Sequence, residues 1–287
     1  MSPTILTSPT ETSSQGRQAN DDVRLSFPRI VRSEWIKFRT LRSTIWTLAI
    51  TLVVMVGIVT LFSVIGASES NNAGASDGGG SIAVFSIAAP LAQLAVVVLG
   101  VLVITGEYST GMIRSTLAAV PRRIPALWAK GAVLAVSIFV LSTVAVAISL
   151  AVMQLILGAK GLAPDLGDSE TVRILVGTPL YLSAIALFAF AIGALLRHSA
   201  GALATVLGLL LVIETLFQIP WKPLQAISPF LPGTAGSKLL MPHEQLDLLS
   251  QITTGPVLGP WQGYAVLLVW VAVLLAAAVV LLRRRNA

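Results

Sequence analysis

Read from end to end, the chain alternates long apolar stretches with short polar ones. Six stretches reach the roughly 20 apolar residues that a helix needs to cross a hydrocarbon core: 46–66, 82–105, 131–157, 174–196, 199–219 and 263–282. Five of them hold no formally charged side chain, and the fifth in order holds Glu214. Arg197 and His198 interrupt what would otherwise be one overlong run from 174 to 219, so two crossings joined by a tight hairpin are expected there. The pattern predicts an all-α integral membrane protein with six transmembrane helices. Spacings such as Ala145-x-x-x-Ser149 and Ala147-x-x-x-Ala151 in the third crossing would let neighbouring helices approach closely.

The segments outside the crossings differ in kind. Residues 1–26 are rich in Ser, Thr, Asn, Gln and Asp and read as a disordered tail. They lack the basic-then-apolar order of a cleaved signal peptide. Residues 27–45 contain FPRIVRSEWIKFRTLRS, with Ser26 placed as an N-cap and Pro28 early in a helix. Val31, Trp35, Phe38 and Leu41 share one stripe at helical spacing, Arg29, Arg32 and Arg39 lie opposite, and Ile36 falls on the wrong side. Such a basic amphipathic helix should lie in the interface plane; a plain positively charged flank of the first crossing is the other reading. Residues 46–287 then form the six-span domain. Between its crossings, 67–81 reads as a flexible Gly/Ser-rich linker, and 158–173 is short and mixed in charge. Segment 220–262 holds Pro220, Pro223, Pro229 and Pro232 with apolar clusters, and is expected to pack back on the membrane face as short helices.

Charge decides orientation. Only 11% of the 287 residues are charged against 55% hydrophobic, where a soluble domain carries about 25% charged residues; the mean hydropathy is +0.86. A net charge of +6 and a pI near 10.2 would suggest nucleic acid if the cations were clustered on a soluble surface. Instead, with the N-terminus inside, only Lys160, Arg173, Lys222 and Lys238 of the 19 basic residues fall outside. That bias predicts cytoplasmic termini and residence in the cell membrane, with no role for nucleic acid. Five of the six Trp, all but Trp270, lie near span ends or on the N-terminal helix, as interfacial anchors should. The absence of Cys excludes disulfides and thiolate chemistry, and two His, His198 and His243, cannot make a His-rich metal cluster, so no metal site is expected.

The polar run GEYSTGMIRSTLAAVPRR, 106–123, lies between the second and third crossings, on the cytoplasmic side in this orientation. Met112, Ile113, Thr116, Leu117 and Val120 are spaced as one face of a short helix that Pro121 ends. A short helix of this kind can dock into a groove on a soluble partner, or simply cover the mouth of the bundle. Extended to GEYSTGMIRSTLAAVPRRIPALWAKG, the run resembles the first cytoplasmic loop of permease subunits in the type-2 family of ATP-binding-cassette exporters. That loop combines an acid–Tyr pair, a Gly, a short helix ending near Pro-Arg and a Lys opening the third span. The preceding EWIKFRTLRSTIWTL is similar to the family's N-terminal connecting helix.

The resemblance implies a dimer of permease subunits, each bound to a cytoplasmic ATPase subunit through the connecting helix and the coupling loop 106–130. On this sequence the contacts would fall on Glu34, Trp35, Lys37 and Arg39, then on Glu107, Tyr108, Gly111, Arg114 and Arg122. It also implies export, with segment 220–262 corresponding to short extracellular helices that cap the exit path. The chain has no P-loop: GTAGSKLL at 233–240 lacks the spacing and lies on the outer side. No catalytic residue or cofactor is therefore expected in this chain, and ATP and Mg would reside on the partner subunit. GASDG at 74–78 mimics a nucleophile elbow but sits in the Gly/Ser-rich linker.

Glu214 is the odd acid. An acid at membrane depth costs roughly 2.5–3.5 kcal/mol on insertion scales and should face the bundle or a wet cavity. It could line a substrate path with Gln218 one turn on, together with Gln93 and Gln154, or it could be an acid near the outer interface bonded to the backbone of the following loop. Scarce charge along the spans fits a hydrophobic or amphiphilic cargo. An ion-coupled secondary transporter using Glu214 is the alternative function, and a polytopic membrane enzyme a further one.

Overall fold

The computed structural model describes residues 27–73, 79–109, 123–219, 221–253 and 255–284. The tail 1–26, the decoy GASDG and residues 110–122 of the coupling loop, with Gly111, Arg114 and Arg122, lie outside the described residues. Among those described, the chain is helical and without strand. A short helix α1 (Phe27–Thr40) meets α2 (Arg42–Ala73) at Leu41; α3 (Gly79–Ile82) leads into α4 (Val84–Ser109), and α5 (Arg123–Leu157) follows. Next come α6 (Ser169–Leu196) and α7 (Ser199–Leu216), three short helices α8 (Lys222–Ile227), α9 (Pro232–Ser237) and α10 (His243–Ile252), and finally α11 (Pro260–Arg284). Six of these, α2, α4, α5, α6, α7 and α11, are long and apolar enough to cross a membrane. This is the number of crossings read from the sequence.

α6 runs through the middle. Its apolar window is 72% buried, against 22% for α2 and for α7, so α6 is the core of the bundle and the outer helices present apolar flanks to whatever surrounds it. Tight packing of α6 on α4 depends on missing side chains: a methyl group on Gly100 would come within 2.6 Å of the Ala186 carbonyl oxygen. Of the two small-residue pairs read from α5, Ala145 and Ser149 are buried, whereas Ala147 and Ala151 face outward.

Capping explains where α6 begins and ends and where α7 begins. Asp168 accepts a 2.9 Å hydrogen bond from the Thr171 N–H at the start of α6. α6 stops at Arg197, the one described non-Gly residue with positive φ (56°), and the imidazole Nδ1 of His198 accepts from the Gly201 N–H at 3.1 Å to start α7. The hairpin expected at this dipeptide is present. The left-handed backbone of Arg197 is accompanied by a cation–π contact, its guanidinium 5.3 Å from the centroid of the Tyr108 ring.

Successive crossings alternate in direction, giving the bundle two distinct ends. At one end are α1, Glu107, Lys130 and the Arg197–Tyr108 contact. At the other, Lys160 donates to the Ala67 carbonyl, and Arg173 donates to the carbonyls of Leu239 (2.8 Å) and Met241 (2.9 Å).

Two local expectations need correction. The linker read over 67–81 is partly helical, because α2 runs on to Ala73 and α3 starts at Gly79; each added helical residue gains a backbone hydrogen bond, so a polar composition alone does not end a helix. The stripe expected on α1 is rotated: Ile30, Glu34 and Phe38 form the buried face, while Trp35 and Leu41 are about half exposed. Glu34 on the buried face meets Lys130 and Lys37, and a buried carboxylate requires such partners. Segment 220–262 forms short helices, as expected, and among them α9 packs against α11. The indole N–H of Trp270 donates to the Phe230 carbonyl at 2.9 Å. Trp270 lies ten residues into α11, which is about 15 Å along the helix axis.

Candidate functional site

Among the described residues of the α1 end, four charges form a cluster. Glu34 comes from the buried face of α1, Glu107 from the last turns of α4 and Lys130 from the first turns of α5. Lys130 Nζ lies 2.6 Å from Glu34 Oε2 and 2.7 Å from Glu107 Oε1. Lys37, one turn along α1 from Glu34, places its Nζ 3.1 Å from Glu34 Oε1 and 3.6 Å from Glu107 Oε1. Lys130, Glu34 and Glu107 are 5–7% exposed as residues, whereas the Lys37 side chain is 43% exposed. Two carboxylates and two ammonium groups balance, which is how charges this buried are tolerated.

Ionisation follows the geometry. Burial by itself would raise the Glu34 carboxyl, but the Lys130 ammonium and then Lys37 outweigh it and hold the group below its ordinary value. For Lys37, burial would lower the ammonium, and Glu34 followed by Glu107 outweighs that, leaving it raised. Both shifts favour the charged forms of Glu34 and Lys37, consistent with the contacts that join the cluster. Their chemistry is that of a clamp: α1 is locked to both α4 and α5, the two helices that residues 110–122 join. A cavity of about 340 Å³ opens beside the clamp, between Phe38 and Leu41 of α1 and Leu102 and Val103 of α4.

The sequence-derived contact residues thus divide. Glu34 and Glu107 point inward to Lys130, Trp35 and Arg39 are exposed, and Tyr108 packs against the core beside Arg197. Lys130, the hub, was legible only as the Lys that opens the third span; a lone cation at the mouth of an apolar run is the signal that it needs buried acids.

The four residues suggested for a substrate path are not gathered on one. Gln93 accepts from the Tyr181 hydroxyl at 2.5 Å inside the α4–α6 core, and the Gln154 amide donates to the Pro164 carbonyl at 3.1 Å beyond the end of α5. Gln218 lines a cavity of about 360 Å³ beneath α8–α10. Glu214 is buried, and its carboxylate accepts from the Gly233 N–H (2.6 Å) and the Thr234 hydroxyl (2.9 Å) at the start of α9. Of the two roles open to Glu214, this is the bond to the backbone of the following segment.

A π-turn over Gly208–Ile213 supports that placement, with the Glu214 N–H bonded to the Leu209 carbonyl. In an α-helix every fourth residue drifts ahead by about 40°, and the wider turn takes that drift back. Ala202, Val206, Leu210 and Glu214 consequently form one buried stripe.

These features define a class: a multi-pass α-helical membrane protein with a buried ionic clamp at one end and an acid-capped segment of short helices at the other. No protein-family model and no curated protein matches the chain.

Proposed function

We propose that this chain is the membrane-spanning permease subunit of an ATP-binding-cassette exporter of the type-2 family, working as a dimer with a separate cytoplasmic ATPase. Both termini and the clamp lie in the cytoplasm on this reading, because the Lys and Arg bias favours that side. The observation that carries the proposal is the Lys130 clamp. It joins α1, the candidate connecting helix, to the helices on either side of the candidate coupling segment. Force applied by a partner to α1 or to 110–122 would then be shared by α4 and α5 instead of dissipating in one of them. ATP-driven closure of the ATPase pair would shift this unit and change access to a path between two permease copies. The cargo that suits such uncharged spans is hydrophobic or amphiphilic. The bonds that Glu214 makes to Gly233 and Thr234 support a structural role for it over an ion-coupling one.

Mild detergent extraction of the tagged chain should recover a stoichiometric soluble ATPase. Because the protein has no Cys, a single Ser109→Cys should be labelled by an impermeant maleimide only after the cells are opened. Labelling of intact cells, or repeated failure to recover an ATPase, would overturn the proposal.

A further inference from the structure

The four basic residues away from the clamp end are used very differently. Lys160 and Arg173 donate to backbone carbonyls, and Lys222 is exposed. Lys238 is buried, only 7% exposed, and among the described residues no hydrogen bond or ion pair engages its ammonium. No carboxylate offsets its desolvation, and burial alone holds it below the ordinary lysine range. Proteins seldom bury a cation without a counter-charge.

Lys238 lines the cavity of about 360 Å³ that also holds Gln218. That volume is at the small end of the range for ligand sites, about 300–1,000 Å³. Ser228 and Thr234 add polar atoms near the cation, while Phe217, Met241, Leu249 and Val257 supply apolar wall. The level of the site is also informative. Lys238 Cβ is 3.1 Å from where a Cβ on Gly263 would stand, three residues into α11, and Phe217 and Gln218 immediately follow α7. The cavity therefore sits where crossing helices begin and end, at the boundary between an apolar and an aqueous phase. A cation facing apolar wall at that level matches a molecule with an acidic oxygen group on an apolar chain.

We propose that this cavity binds an anionic amphiphile, with its phosphate or carboxylate on Lys238 and the first part of its chain against Phe217, Met241, Leu249 and Val257. The site does not depend on the transport reading, since it can be occupied on the isolated chain with no partner and no ATP.

The test uses the full chain purified in a nonionic detergent and titrated with dodecyl phosphate, dodecanol and inorganic phosphate, with occupancy read by native mass spectrometry. One dodecyl phosphate should bind per chain, and dodecanol should bind at least about tenfold more weakly, as expected for loss of a charge-assisted contact. Lys238→Met and Lys238→Gln should each lose about tenfold or more, while Lys238→Arg retains binding. Neither neutral variant should melt below wild type, because each removes an unpaired buried charge. Unchanged dodecyl phosphate binding by the neutral variants would overturn the proposal, as would equal binding of dodecanol. Displacement by millimolar inorganic phosphate would also refute it, showing a site for free anions instead of a chain-bearing one.

Discussion

Replacing Lys130 with Met removes one ammonium and leaves two buried carboxylates facing each other, with only the half-exposed Lys37 to offset them. At 2.6 and 2.7 Å, each Lys130 contact is worth about 6 kcal/mol of Coulomb attraction with an effective dielectric near 20, before the cost of taking the ammonium out of water is subtracted. The net penalty for breaking a buried pair from one side is about 3–5 kcal/mol, and this is the loss expected for Lys130→Met. The variant should detach α1 before the bundle unfolds, since the lost bonds are those between α1, α4 and α5. Limited proteolysis at Arg39 or Arg42 in mild detergent reads that detachment, and a chemical unfolding titration reads the total. A triple variant, Glu34→Gln with Glu107→Gln and Lys130→Met, removes the uncompensated charges and should recover most of the loss. Lys37→Met should cost under about 1 kcal/mol, because solvent screens a partly exposed pair. If Lys130→Met came within about 0.5 kcal/mol of wild type, or if the triple variant were no better than the single one, the clamp would not be what holds α1.

Three further outcomes follow from the same structure. Glu34 lies below its ordinary value of 4.5, so its stabilising contribution is complete above that value and is lost as pH falls through the lower folded value. Lys37 lies above its ordinary 10.5, so its contribution is complete below that and is lost as pH rises through the higher one; proteolysis of α1 should thus be flat from about pH 5 to 10 and rise only beyond those limits. Gly100→Ala should destabilise by about 1–3 kcal/mol through overpacking on the Ala186 carbonyl, while Gly57→Ala, which meets nothing within 4 Å, should be neutral or stabilising in the same unfolding assay. Glu214→Gln keeps an acceptor for the Gly233 N–H and should express and melt close to wild type, whereas Glu214→Leu orphans that donor and the Thr234 hydroxyl and should cost about 1–3 kcal/mol.

The apolar runs, the Arg197–His198 break and the helical N-terminal segment were legible because each depends on local properties: transfer of side chains out of water, and capping within a few residues. They were enough for six membrane-length helices and for the place of the hairpin between α6 and α7. The face that α1 buries was not legible. Periodicity counted Trp35 and Phe38 as a stripe and did not place Glu34 on the buried face, whereas the bundle supplies Lys130 from 96 residues away to meet it. Local pattern has no access to a partner that distant. Glu214 and Lys238 make the same point at the other end. Their residue types announced that burial would be costly, but only the chain's return through α9 decides that the acid receives donors from Gly233 and Thr234 while the lysine faces an open cavity. Sequence by itself determined which segments leave water, since that depends on side-chain composition; the tertiary structure decided which charges meet, since long-range pairing depends on how the helices pack.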